Sequence, residues 1–167
     1  MIKFPRTTIA ALSLSASGLI ALVMSEGYSD KAIIPVPGDV PTIGFGSTRN
    51  VRMGETTNPI AALARAGREI NQDYEAVLKR CVTAPLYQHE YDVYVDMAYN
   101  VGAHKFCSST IVRRVNSGDY EGACEAILMW KKYKGLDCSL AVNSRICGGI
   151  WTRRLKAKAE CLGGAHD

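Results

Sequence analysis

Glu26 is the first charged residue after a long uncharged stretch, residues 7–25, and it leads into a Gly/Pro/Asp-rich loop that ends in Thr42-Ile43-Gly44-Phe45-Gly46. A carboxylic acid beside a glycine-rich strand turn, with a second carboxylate and a hydroxyl nearby, suits hydrolysis of a glycosidic bond. One carboxyl must arrive protonated and donate to the leaving oxygen, while a second group orients or activates water from the opposite face. Glu26 fits the acid role because it directly follows apolar chain, and burial disfavours a charged carboxylate. Asp39 and Thr42 lie on the loop and strand that follow. Taken alone the pattern has a bland counterpart, a surface glutamate followed by ordinary loop residues.

The elements that would position these groups are readable in outline. Residues 27–58 are rich in Gly, Pro, Asp and Thr and lack a helical period, and 41–53 read as short strands with glycine turns. Asn58 is a natural N-cap with Pro59 at the first helical position. Leu63, Ala66, Ile70, Tyr74, Val77 and Leu78 then recur at helical spacing as far as Cys81. Pro85 breaks the chain. A second helix is predicted over 87–100, with Tyr91, Tyr94, Val95 and Ala98 on one side and Gly102 as its stop. Shorter segments at 109–116 and 119–132 are separated by Asn116-Ser117-Gly118, with Asp119 as an N-cap, and a last helix is predicted over 150–162. The fold class is α+β, mostly α: a small β-lobe followed by a helical lobe.

With 167 residues the chain is long enough for one domain with a true core. Its 47% hydrophobic and 22% charged residues exclude a disordered or fibrous chain. The net charge of +4 suits a polyanionic partner, although Lys131, Lys132 and Lys134, or the run from Arg153 to Lys158, read equally well as solvated helix faces. No nucleic-acid motif, metal-ligand spacing or phosphate-binding glycine loop accompanies that charge, so no nucleic-acid partner, metal or cofactor is expected. All six cysteines, Cys81, Cys107, Cys124, Cys138, Cys147 and Cys161, follow the uncharged stretch. An even count beside a possible export signal favours disulfides formed in an oxidising compartment. No C-x-x-C pair is present, and His89, His104 and His166 are scattered. Cys138 and Cys147 flank a short polar loop and are the first pair expected; the sequence leaves the others open.

Lys3 and Arg6 precede the uncharged run, which is about long enough to cross a hydrocarbon core as a helix. Its large apolar residues are interspersed with Ala, Ser, Thr and Gly, and its Leu, Ile and Val contribute only roughly −2 to −4 kcal/mol to insertion. A cleaved signal peptide, a permanent anchor and a weak signal anchor all fit this description. Cleavage after Ser15-Ala16-Ser17 would leave apolar residues 18–24 on the mature chain, and a permanent anchor would carry more Leu. A weak anchor that can later leave the bilayer matches the composition best.

An ordered series of blocks covers nearly everything after residue 25. It comprises Glu26-Gly27, Gly38-Asp39-Val40-Pro41-Thr42-Ile43-Gly44-Phe45-Gly46-Ser47-Thr48, Ala98-Tyr99-Asn100-Val101-Gly102 and Phe106-Cys107-Ser108-Ser109-Thr110. It continues through Asn116-Ser117-Gly118-Asp119-Tyr120-Glu121-Gly122-Ala123-Cys124, Trp130, Trp151-Thr152-Arg153-Arg154 and Glu160-Cys161-Leu162. The series resembles the phage lysozymes, the muramidase class of endolysins, and the N-terminus is similar to that of their signal-anchor-release subgroup. The resemblance implies a lysozyme-like fold, with residues 1–25 as a signal-anchor-release or transmembrane segment and 26–167 as the catalytic domain. It implies a monomer that hydrolyses the β-1,4 bond between N-acetylmuramic acid and N-acetylglucosamine in peptidoglycan, for host-cell lysis. Such a protein would be tethered to the inner membrane facing the periplasm through residues 7–25 and then released.

Residue by residue, the resemblance makes Glu26 the general acid and Thr42 the residue that positions water. It puts Arg153 or Arg154 near Glu26, and Asn100, Arg153 and Arg154 among the substrate-binding residues. It also implies a Cys124–Cys161 pair, which would leave Cys81 with Cys107. Two departures stand out. Family spacing places an aspartate at Pro35 when counted from Glu26, or at Val36 when counted back from Thr42, so Asp39 is the expected substitute and Asp30 a poorer one. Ser47 stands where the family often has histidine. The missing aspartate keeps two alternatives in view, a lytic transglycosylase using Glu26 alone and a non-catalytic, membrane-tethered murein-binding protein.

Overall fold

The computed structural model describes residues 5–163; Lys3, expected to flank a membrane span, lies outside the described residues. The chain enters as an arm across the helical lobe. Thr7 and Leu86 exchange backbone hydrogen bonds of 2.8 Å, a 3-10 turn follows at Ile9–Ala11, and helix α1 (Ala16–Glu26) completes the arm. Ser15 caps α1 by accepting from Gly18 N at 2.9 Å. Residues 7–25 are therefore not one continuous helix. The Ser15 cap fixes the start of a helix of 11 residues, about 16 Å long, against a hydrocarbon core of about 30 Å. Among the described residues no helix is long and apolar enough to cross a membrane. Leu22 and Val23 of α1 join Ile9 and Leu12 in the same buried core as the helical lobe, while Ile20 and Met24 face solvent.

Gly27, at φ +75°, turns the chain off α1 into strand β1 (Ser29–Ile33). This strand runs antiparallel to β2 (Thr42–Gly44), pairing Ser29 with Gly44 and Ile33 with Thr42 across an irregular register. Helix α2 (Pro59–Glu69) begins as its sequence directs, with Asn58 accepting from Ala61 N at 2.9 Å and Pro59 in the first turn. The helix predicted as far as Cys81 is not uniform. A π-helical segment, Ile70–Glu75, separates α2 from α3 (Ala76–Cys81). Such a widened turn changes which faces the following side chains occupy. Tyr74 and Glu75 belong to it, and both are used below.

Helix α4 (Gln88–Val101) is the centre of the lobe. Tyr91, Tyr94, Val95 and Ala98 are fully buried on its predicted inner face, and it stops at Gly102, φ +93°. Helices α5 (Ala103–Cys107), α6 (Thr110–Asn116) and α7 (Tyr120–Ala126) follow. The hydroxyl of Ser109 and the carboxylate of Asp119 cap the last two. The helix predicted as far as 132 ends at Ala126 in a 3-10 turn, Ile127–Met129, before a small hairpin of β3 (Lys132–Tyr133) and β4 (Leu136–Asp137). Helix α8 (Ser144–Cys161) starts earlier than predicted and kinks at Cys147. Disulfides join Cys81 to Cys107, Cys124 to Cys161 and Cys138 to Cys147. They tie α3 to α5, α7 to α8 and the end of the hairpin to α8.

Three carboxylates of the body hold the N-terminal arm. Glu75, 4% exposed, accepts from Leu14 N at 2.8 Å and from the Tyr91 hydroxyl at 2.7 Å. Burial first, and the hydrogen bond to Glu75 second, push that phenol well above its usual range. Asp92 accepts from both the backbone N–H and the hydroxyl of Ser15. Glu90, 2% exposed, accepts from Arg6 Nε at 3.1 Å, Arg6 Nη2 at 2.7 Å and Tyr87 N at 2.8 Å. The Arg6 guanidinium also lies against the rings of Tyr87 and Tyr120, 4.3 and 3.5 Å from their centroids. Glu90→Ala strips Arg6 of its carboxylate and Tyr87 N of its acceptor. Breaking a buried pair costs about 3–5 kcal/mol, and the partial exposure of Arg6 reduces this to about 2–3 kcal/mol. Chemical denaturation should record that loss, and limited proteolysis should show early cleavage within residues 5–14.

Candidate active site

Glu26 is the last residue of α1, so the docking of that helix decides where its carboxylate lies. The side chain is 22% exposed and meets a guanidinium rather than hydrocarbon. Arg153, near the middle of α8, places Nη1 and Nη2 each 3.2 Å from Glu26 Oε1. The same Nη2 lies 2.7 Å from Asp96 Oδ1 on α4. Burial alone would lower the Arg153 pKa, yet Asp96 and then Glu26 outweigh it and hold it raised. Three elements, α1, α4 and α8, thus converge on one cluster of two carboxylates and one cation.

The other side of Glu26 meets the glycine turn. Gly44 and Gly46 have φ of +63° and +86°, and Ile43 and Ser47 close the turn with paired backbone hydrogen bonds of 2.9 and 3.0 Å. A Cβ on Gly46 would lie 3.7 Å from Glu26 Oε2 and 3.3 Å from the Tyr99 hydroxyl, so glycine permits the close approach. Tyr99 of α4 donates to Phe45 O at 3.0 Å and packs its ring 4.9 Å from that of Tyr74. Burial, reinforced by the negative charge of Glu26, raises the Tyr99 phenol above its usual range. Tyr74 is raised by burial, then by Asp73, Glu69 and Glu26. Ser47, in place of the histidine expected from the resemblance, is 2% exposed and belongs to the buried base of the turn.

The predicted residues divide into those beside Glu26 and those elsewhere. Arg153 is the arginine that meets it. Arg154 points away: it is 4% exposed and donates to Trp130 O at 3.0 Å, to Met97 Sδ at 3.4 Å and to Asn100 Oδ1. Burial and its Arg153 neighbour lower its pKa. Substrate binding was expected of Arg154, but its fork is filled by protein acceptors and locks α8 onto α4. Asn100 accepts from Arg154 through its side-chain oxygen, and the structure shows no partner that occupies its amide N–H groups among the described residues. Thr42 starts β2, half-buried, and its hydroxyl donates to Val40 O at 3.1 Å. Asp39 is exposed on the loop before it, where its carboxylate accepts from Val40 N at 2.8 Å. Among the described residues Asp39 has no hydrogen bond or ion pair with Glu26 or Arg153.

Asp96, Tyr99 and Tyr74 are the site residues that sequence reasoning missed. Asp92 and Asp96 sit one helical turn apart on a helix otherwise rich in buried apolar residues, and that pairing was the available signal. Tyr74 depends on the π-helical segment, which has no mark in the sequence. Among the described residues no group of three or more His, Cys, Asp or Glu side chains is placed to hold a metal ion.

Comparison with known proteins gives the family and the fold. The sequence pattern of the phage lysozyme family matches residues 24–156. The endolysin of Salmonella phage P22 is 30% identical over 72% of this chain and 85% of its own length. The SAR-endolysin of Pseudomonas phage phiKMV is 30% identical over 92% of this chain and 89% of its own. Among solved structures, the muramidase domain of SpmX from Asticcacaulis excentricus superposes with a TM-score of 0.77 at 26% identity, covering 90% of this chain and 98% of that one.

Proposed function

From the premise that the chain belongs to the phage lysozyme family, a family of glycoside hydrolases that lyse peptidoglycan, we propose that it cleaves the β-1,4 bond between N-acetylmuramic acid and N-acetylglucosamine, with Glu26 as the proton donor. The observation that carries this reading is the convergence of Arg153 and the Gly44-Phe45-Gly46 turn on Glu26. Glu26 gives its proton to the leaving glycosidic oxygen as the bond to the anomeric carbon lengthens. Positive charge develops on the departing sugar, and water attacks from the other face. Thr42 and Asp39, on the segment after β1, orient and activate that water. Arg153 holds the Glu26 carboxylate in place once the proton has left.

The proposal extends to location. Residues 1–25 serve first as a signal anchor in the inner membrane, with residues 26–167 as the catalytic part facing the periplasm. On release, the arm docks as described above and the enzyme acts on peptidoglycan as a monomer. Two features support this order. The phiKMV relative is named a SAR-endolysin, and the arm contacts that place Glu26 use the same residues that would lie in the bilayer before release. Disulfides fit an oxidising periplasm.

Two experiments test the reading. Glu26→Gln should lower turnover of purified peptidoglycan by at least about 100-fold without unfolding the protein, and Asp39→Asn should lower it by about 10-fold or more. The wild-type products should carry reducing ends. Products with 1,6-anhydro ends, or unchanged turnover in Glu26→Gln, would contradict the hydrolytic reading. For the anchor, Ser13, Ala16 and Ser17 are exposed in the docked arm. Replacing all three with Leu makes the segment more apolar; it removes the Ser17 hydroxyl from Ser15 Oγ but keeps Ser15 on Asp92 and Leu14 N on Glu75. Cell fractionation should then find the full-length protein held in the membrane fraction, with lysis delayed; unaltered release would contradict the anchor.

A further inference from the structure

The Arg153 guanidinium is shared unequally. Its Nη2 stands 2.7 Å from Asp96 Oδ1 but 3.2 Å from Glu26 Oε1. Asp96 approaches from behind, along a groove between α1, α4 and α8 whose walls include Ala21, Ser25, Asp92 and Lys156. Asp96 and Arg153 are similarly shielded, each with 24% of its side chain exposed. A lone guanidinium this close to Glu26 would favour its ionised form and make it a poor proton donor. The second carboxylate changes that balance. It occupies the shorter contact, neutralises the cation and repels a second negative charge at Glu26.

Resting on Glu26 as the acid, we propose that Asp96 is a positioning residue that fixes Arg153 against Glu26 and offsets its positive charge, so that the alkaline limb of the activity profile depends on Asp96. Several charged or titratable groups near Glu26 enter this balance. Arg153 comes from α8, with Arg154 behind it and turned toward Trp130 and Asn100. Asp96 and Tyr99 come from α4 and Tyr74 from the π-helical segment, while Glu69, at the end of α2, acts on both phenols. The glycine turn contributes backbone only. Among the described residues Asp96 is the one other carboxylate in salt-bridge contact with the guanidinium that meets Glu26. Raised Arg153, with Asp96 ahead of Glu26 among the acids responsible, is consistent with that order.

The test is the pH profile of peptidoglycan turnover by the soluble full chain. Asp96→Asn keeps an oxygen for Arg153 but removes the charge, leaving the guanidinium to act on Glu26 alone. A protonated acid is required, so favouring its ionised form moves the alkaline limb of the profile down, here by about one pH unit. A purely structural salt bridge would lower thermal stability and leave that limb where it was. An unmoved or raised limb would overturn the proposal. Asp96→Ser, smaller and uncharged, carries the same expectation should the Asn variant fold poorly. Glu26→Gln, run alongside, separates the two levels. Activity in that variant would overturn the assignment of the acid, whereas an inactive Glu26→Gln with an unmoved Asp96→Asn limb would overturn the role of Asp96 alone.

Discussion

Glu26, the proposed proton donor, is the last residue of a helix that has only two buried side chains, Leu22 and Val23, to hold it. Those two contribute about 3–6 kcal/mol of burial at best, part of which offsets the ordering of the arm. What fixes the helix in register is polar. Asp92 takes the N–H and hydroxyl of Ser15, Glu75 takes Leu14 N, and Glu90 takes Arg6. Each is a charge-assisted bond made to an arm that is otherwise apolar or small. The site depends on this because Arg153 and the glycine turn are set by the body, and Glu26 reaches them only when α1 is seated. An arm of Leu alone would pack without a register; this one cannot slide by a residue without leaving Ser15 off Asp92.

The same division of labour explains the chemistry of the cluster. The body presents a cation already held by Asp96, and the arm brings a second carboxylate to it. The arriving group therefore meets a partly neutralised guanidinium. That arrangement anchors Glu26 through a cation whose charge Asp96 shares. Tyr99 and Tyr74 close the flank with hydrocarbon and raised phenols that do not ionise near neutral pH, and Tyr99 donates to Phe45 O.

Features written in local chemistry were legible in the sequence. Asn58-Pro59 starts α2, Gly102 ends α4, Asp119 caps α7, and the buried face of α4 follows from the spacing of Tyr91, Tyr94, Val95 and Ala98. The ordered blocks around Glu26, Thr42 and Arg153 carried the family and the mostly α class of fold. What stayed hidden depends on partners distant in the chain. β1 has an exposed, irregular pattern that only its pairing with β2 reveals. The π-helical turn changes which way Tyr74 and Glu75 face without any breaker residue. Arg153 and Arg154 are adjacent and chemically identical in sequence, and only the turn of α8 sends one to Glu26 and the other to Trp130. The uncharged run read as a membrane span because its hydropathy is a property of the run alone, whereas its docking is a property of three acids elsewhere.

Seating of the arm is the claim on which the account stands, and native-state hydrogen exchange measures it directly. In the purified protein the amides of Leu14, Ser15, Leu19 and Leu22 should exchange slowly, with protection approaching that of Tyr94 and Val95 in α4. Exchange of those arm amides at the rate of an open loop, in an enzyme that nonetheless degrades peptidoglycan, would contradict it.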